Sequence, residues 1–169
     1  MPEPTNWAMS LVIDGKCSNY VVRYRACTTA PVSRQAHLIS VFSGRQLTAT
    51  GTPNNSPVKG QPFTQGWNTQ NWELVPVPNT EYVRLRNTGT NTYLNVSTQA
   101  ESAVVGTHAL NTGYDSQVFL IEPVKNSSDV RLRNLWSGKY LTVFDAGIYS
   151  PIYSQTLNPA WPSQRWVIQ

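Results

Sequence analysis

Gln70, Gln117 and Gln164 stand 47 residues apart, and each is followed two positions later by a large aromatic residue: Trp72, Phe119 and Trp166. The same interval superposes Leu38, Leu85 and Leu132, then Leu47, Leu94 and Leu141, then Val58, Val105 and Ile152. Phe63, Leu110 and Leu157 align, as do Trp67, Tyr114 and Trp161, and finally Leu74, Ile121 and Ile168, with no insertion or deletion. Three units, 29–75, 76–122 and 123–169, fill the chain behind a leading segment of 28 residues. A unit of this size cannot bury an apolar face alone, so the copies must supply one another with a core.

Inside each unit the apolar residues alternate as they do in strands. Val83 and Leu85 alternate with Arg84 and Arg86, and Leu94 and Val96 with Asn95 and Ser97. The pattern predicts about four strands per unit, hence an all-β fold of twelve strands around a pseudo-threefold axis. Gly44, Asn91 and Gly138 occupy one equivalent place between the first two strands. Glycine and asparagine tolerate positive φ, so a left-handed hairpin turn is expected there. A stacked solenoid is the alternative, but solenoids need capping repeats and gain from more copies, so closure fits better.

Composition narrows the function classes. Charged residues make up 13% of the chain, about half the usual share. The 13 Lys and Arg residues are dispersed and the net charge is +4. The Arg pairs 23/25, 84/86 and 131/133 alternate with apolar residues, as on the outer face of strands. A nucleic-acid partner is therefore not expected, since such partners call for a clustered basic footprint. No apolar run approaches the roughly 20 residues of a membrane-spanning helix. His37 and His108 are not at equivalent places, and no nucleophile, phosphate-loop or metal-ligand motif accompanies them. The expectation is a protein that is not an enzyme and has no cofactor and no metal.

The segments Gln70-Asn71-Trp72, Gln117-Val118-Phe119 and Gln164-Arg165-Trp166 resemble the QxW motif of the ricin B-type β-trefoil lectins. Phe42–Leu47, Asn91–Leu94 and Trp136–Leu141 resemble the hairpin element that precedes it in that family. The resemblance covers residues 29–169 and implies a β-trefoil with a short N-terminal extension. Many relatives carry a disulfide within each repeat. Here the corresponding places hold Gln46, Tyr93 and Tyr140, and Phe63, Leu110 and Leu157. The chain thus resembles the cysteine-poor branch, with large apolar residues expected to fill the space. The motif itself reads mainly as architecture, its aromatic ring in the core and its Gln on backbone groups.

The resemblance implies a lectin that binds glycans or glycoproteins through neutral sugars such as galactose or N-acetylgalactosamine. The family's sugar-binding Asp is replaced by Thr48, Asn95 and Thr142. In the second repeat Asn95 takes the place of that Asp, His108 that of the stacking ring, and Ser116 with Gln117 that of the amide pair, with Tyr114 nearby. In the third repeat the candidates are Asp145, Gln155 and Trp161. The first repeat offers only Thr48 and Gln61 at these places. One or two sites per chain are expected. The alternative is a protein-binding trefoil, a protease inhibitor or a toxin carrier subunit, presenting the Pro- and Asn-rich loops 51–57 or 158–162.

Residues 1–28 read as a hairpin anchored by Trp7, with Cys17 and Cys27 either bridged or free. A partner-docking arm is the other reading, so a homo-oligomer or a partner subunit stays open. With no signal sequence in this chain, a cytoplasmic or non-classically secreted protein is expected, with the sequons at Asn54, Asn95 and Asn126 unmodified.

Overall fold

A computed structural model describes residues 33–169. The hairpin expected over 1–28, with Trp7, Cys17 and Cys27, lies outside the described residues. The first repeat contributes β1 (Arg34–Ala36), β2 (Leu38–Ser40), β3 (Gln46–Ala49), β4 (Ser56–Gln61) and β5 (Trp72–Pro76). The second contributes β6 (Val83–Asn87), β7 (Thr92–Val96), β8 (Ala103–His108) and β9 (Phe119–Pro123). The third contributes β10 (Val130–Asn134), β11 (Tyr140–Val143), β12 (Ser150–Gln155) and β13 (Trp166–Ile168). A single 3₁₀ turn precedes the last strand of each repeat, at Asn68–Gln70, Asp115–Gln117 and Pro162–Gln164.

The strands number thirteen among the described residues rather than twelve because the first is interrupted at His37. β1 pairs with β5, whereas β2 pairs with β13. At the break, His37 and Gln169 exchange both backbone hydrogen bonds, at 2.7 and 3.0 Å. The last strand thus completes the ring that the first began.

Every closing contact is one pair moved by 47 residues. Ala36 lies opposite Trp72, Val83 opposite Phe119 and Val130 opposite Trp166. The third strands of the repeats, β4, β8 and β12, form a triangle in which Ser56 meets Thr107, Ala103 meets Ser154 and Gly60 meets Ser150. This is a β-trefoil with pseudo-threefold symmetry. Such closure protects the edges that strands of three to six residues otherwise expose.

The core repeats with the same period. Leu38, Leu85 and Leu132, with Leu47, Leu94 and Leu141, are fully buried, as are Val58, Val105 and Ile152. Trp72, Phe119 and Trp166 are each 0% exposed, and the indole N–H groups donate to the carbonyls of Leu47 and Leu141 at 2.8 and 3.1 Å. The turn residues Gly44, Asn91 and Gly138 have φ of 66°, 57° and 68°. The left-handed conformation inferred from the sequence is therefore present three times.

One expectation fails. Phe63, Leu110 and Leu157 do not fill an interior space; they are 60%, 48% and 38% exposed. Their strands end two residues earlier, at Gln61, His108 and Gln155. The intervening carbonyl of Pro62, Ala109 or Thr156 accepts from the buried Gln of the same repeat, which turns the following residue outward.

Candidate functional site

The three buried glutamines bridge loop to loop. Gln70, Gln117 and Gln164 each accept from one backbone N–H (Thr64, Asn111 or Asn158) and donate to one carbonyl (Pro62, Ala109 or Thr156) at 2.7–2.9 Å. Both ends of each amide are satisfied, so an unpaired buried polar group and its cost of about 1–3 kcal/mol are avoided. Gln117, expected from the sequence to touch a ligand, is 0% exposed and holds the loop that carries Tyr114. The rings that begin the 3₁₀ turns, Trp67, Tyr114 and Trp161, are 43–46% exposed. They lie on the surface.

The residues standing in the place of the family's Asp divide into two kinds. Thr48 donates to the Gln46 carbonyl at 3.1 Å and accepts from Gln70 at 3.2 Å. Thr142 does the same with Tyr140 and Gln164 at 3.0 and 3.2 Å. Both hydroxyls are spent inside the protein. Asn95 instead accepts from the Ser116 hydroxyl at 2.8 Å, and its Nδ2 has no partner among the described residues. A donor is thus left at the floor of a cleft.

That cleft, of about 510 Å³, gathers Asn95, His108, Tyr114 and Ser116 from the second repeat. The His108 and Tyr114 rings lie 6.0 Å apart at 59°. His108 Nδ1 faces the Ala109 carbonyl at 3.0 Å and so acts as a donor there, which leaves Nε2 for a ligand. Of the lining residues that sequence reasoning missed, Asp115, Trp136 and Asn55 carry the polar and aromatic groups that matter most here. Asp115 sits between two residues already singled out and could have been found by adjacency. Trp136 comes from the hairpin of the third repeat, and Asn55 from the tip between β3 and β4 of the first. Neither shares a repeat with the cleft it completes.

The same three-part construction builds the first-repeat cleft, of about 640 Å³. Thr48, Lys59, Gln61 and Trp67 come from the first repeat, Gly89 from the second-repeat hairpin and Tyr149 from the third-repeat tip. Gly89 stands where the second cleft has Trp136. A Cβ on it would lie 2.7 Å from the backbone of Asn68 and Thr69, so the hairpin approaches too closely for any side chain. Tyr149 has φ 65°, and its equivalents Asn55 and Ser102 have 64° and 57°. Asparagine adopts that conformation readily, whereas a bulky ring there is an outlier.

Asp145, Gln155 and Trp161 line neither cleft. Asp145 closes its own turn, its carboxylate accepting from the Gly147 N–H at 2.7 Å. Gln155 donates to Ser102 at 2.9 Å, and the neighbouring Thr156 is held by both carboxylate oxygens of Glu101. The second-repeat tip therefore occupies the third-repeat wall. Tyr153, opposite Thr142, adds a ring that meets Phe144 edge-on at 5.7 Å.

Among the described residues no group of His, Cys, Asp or Glu could hold a metal ion, and no helix is long and apolar enough to cross a membrane.

A family model described as "Ricin-type beta-trefoil lectin domain-like" matches residues 68–152. No curated protein matches the chain in sequence. Among solved structures, the designed threefold-symmetric protein ThreeFoil is 20% identical, with a TM-score of 0.74, covering 79% of this chain and 96% of that one. The Rhizoctonia solani agglutinin is 16% identical, with a TM-score of 0.71 and coverage of 83% and 96%. A mosquitocidal holotoxin is 18% identical, with a TM-score of 0.74, covering 83% of this chain but only 17% of that one. These likenesses extend the fold assignment to proteins with little sequence in common.

Proposed function

The chain belongs to the ricin-type β-trefoil lectin-like family, and from that premise we propose that it is a non-enzymatic lectin whose second-repeat cleft binds a neutral sugar. Galactose or N-acetylgalactosamine at the end of a glycan is the ligand that the family resemblance favours. Carbohydrate binding in general has the support of the family match. The observation that carries the cleft assignment is the convergence of Asn95, His108, Tyr114, Ser116, Asp115 and Trp136 on one open depression. Sugars require hydrogen-bond partners for their hydroxyls and an aromatic face for their C–H groups. Asn95 Nδ2 donates, the Asp115 carboxylate accepts, and Trp136 and Tyr114 supply exposed rings. Asn95 is not the carboxylate of the family pattern; Asp115, on the adjoining turn, restores an acceptor of that kind to the cleft.

The competing reading, an inhibitory trefoil with a protruding loop, has less behind it. The loop over 51–57 is fastened: Thr50 donates to the Pro57 carbonyl at 2.6 Å, Ser56 to the Pro53 carbonyl at 2.7 Å, and Asn54 accepts from the Ala109 N–H at 2.9 Å. A glycan screen with free-sugar competition separates the two. Retention on galactose-terminated glycans, reversed by free galactose, is the expected result. An absence of binding across a broad glycan set would sink the lectin reading and leave a protein partner to be sought.

A further inference from the structure

The residue paired across the strands with the floor position of each repeat differs in a way that changes its charge. Thr48 lies opposite Lys59, Asn95 opposite Gly106 and Thr142 opposite Tyr153. Gly106 cannot be otherwise, because a Cβ there would lie 2.7 Å from the Ser56 carbonyl oxygen. The second cleft therefore has no side chain at this position, and its charged wall residue is Asp115. The first cleft has a lysine there and no carboxylate in its lining. Among the described residues the ion pairs are Arg86–Glu73, Arg133–Glu122 and Arg165–Asp129, so no acidic group neutralises Lys59. Its ammonium is instead 5.9 Å from the centre of the Tyr149 ring.

Tyr149 adds backbone strain to the same cleft. It holds a bulky side chain in a left-handed conformation that its equivalents, Asn55 and Ser102, adopt at less cost. Strain of this kind persists where the surroundings impose it, and it clusters at ligand sites. Here it places a ring, 57% exposed, beside Lys59 and in the same cleft as Trp67, 45% exposed. Two exposed rings, an unpaired ammonium and the Gln61 amide suit a pyranose that carries an anionic substituent. They are poorly suited to a neutral sugar held at the floor, because the Thr48 hydroxyl is already committed.

We propose that the first-repeat cleft is a second saccharide site with its own charge preference, taking an acidic sugar whose carboxylate or sulfate is held by Lys59 against the rings of Trp67 and Tyr149. The proposal rests on the lectin reading above but concerns a different cleft and a different ligand class. The protein would then present two unlike sites: an acidic one for neutral saccharides and a basic one for anionic saccharides. A glycan carrying both kinds of terminus could engage both sites, with the gain in avidity that linkage gives.

The test is calorimetric titration of the full chain with lactose, 3′-sialyllactose and 3′-sulfolactose, repeated on Lys59→Gln, Lys59→Arg and Trp136→Ala. Thermal melts of each variant confirm folding. An acidic saccharide should lose about tenfold in affinity in Lys59→Gln, as expected for one charge-assisted hydrogen bond, and regain most of it in Lys59→Arg. Its binding should also weaken as salt is raised. Trp136→Ala should weaken lactose and leave the acidic saccharide in place. Whether the sialyl or the sulfo compound binds identifies the anionic group. Equal affinity of Lys59→Gln and the parent for both acidic compounds, with lactose still bound, would overturn this site and leave the lectin reading standing. Binding of none of the three saccharides by the parent would overturn both.

Discussion

The centre of the molecule and its rim obey different rules. At the centre, each position can be exchanged for its equivalent 47 residues away with little change: leucine on leucine, Val58 on Val105 on Ile152, Trp72 on Phe119 on Trp166, all buried. At the rim, the equivalents part. The floor positions are Thr, Asn and Thr, their cross-strand neighbours Lys, Gly and Tyr, and the hairpin positions Phe42, Gly89 and Trp136. The core must be complementary to itself around a threefold axis, so a change in one copy is felt by the other two. A cleft has no such partner and is free to diverge. Symmetry is therefore a property of what holds the fold together, and its loss marks the surface where function has room to specialise.

Substitutions at the centre should have the largest effects. Trp72→Ala removes a fully buried indole and its hydrogen bond to the Leu47 carbonyl, and should cost about 3–5 kcal/mol in denaturant unfolding. Phe119→Ala should fall in the same range. If affinity for sugar measured on the folded fraction changed selectively in either variant, the division between core and rim would break down.

Next come the places where backbone packs on backbone. Gly106→Ala would force a Cβ against the Ser56 carbonyl in the triangle of third strands, and should cost about 1–3 kcal/mol. A melting temperature equal to the parent's would mean that the triangle yields more easily than its register implies.

Rim substitutions should act on binding and spare stability. Trp136→Ala and Asn95→Ala are each expected to weaken a neutral sugar about fivefold to tenfold, the loss of roughly 1–1.4 kcal/mol, with the thermal midpoint nearly unchanged. Asn95→Ala also strands the Ser116 hydroxyl, which stays close enough to solvent to be rehydrated. The smallest effect belongs to Gln155→Ala. Its amide is engaged with Ser102, so affinity for a neutral sugar should change by less than about twofold. A large loss there would move the site to the third repeat.

The same division explains what the sequence could and could not disclose. The period, the buried triplets and the left-handed turns at Gly44, Asn91 and Gly138 were legible because each is stated three times and each copy corroborates the others. The candidate site was legible only in part. Asn95, His108, Tyr114 and Ser116 belong to one repeat and do meet in one cleft. Trp136, Asn55 and Tyr149 cross from one repeat into the cleft of another, and no comparison of equivalent positions brings them together. Asp145 and Gln155 looked available because their partners, the Gly147 N–H and Ser102, are supplied by a local turn and by a neighbouring repeat. Phe63, Leu110 and Leu157 looked interior because the period is silent about where a strand ends.

The second-repeat cleft is tested most directly by a lactose titration followed by NMR on the isotopically labelled chain, with shift changes mapped residue by residue. Binding in the second-repeat cleft should give the largest changes at Asn95, His108, Tyr114 to Ser116 and the Trp136 indole, with the core indoles of Trp72 and Trp166 unmoved. Changes centred on Asp145, Gln155 and Trp161, or no saturable change anywhere, would contradict it.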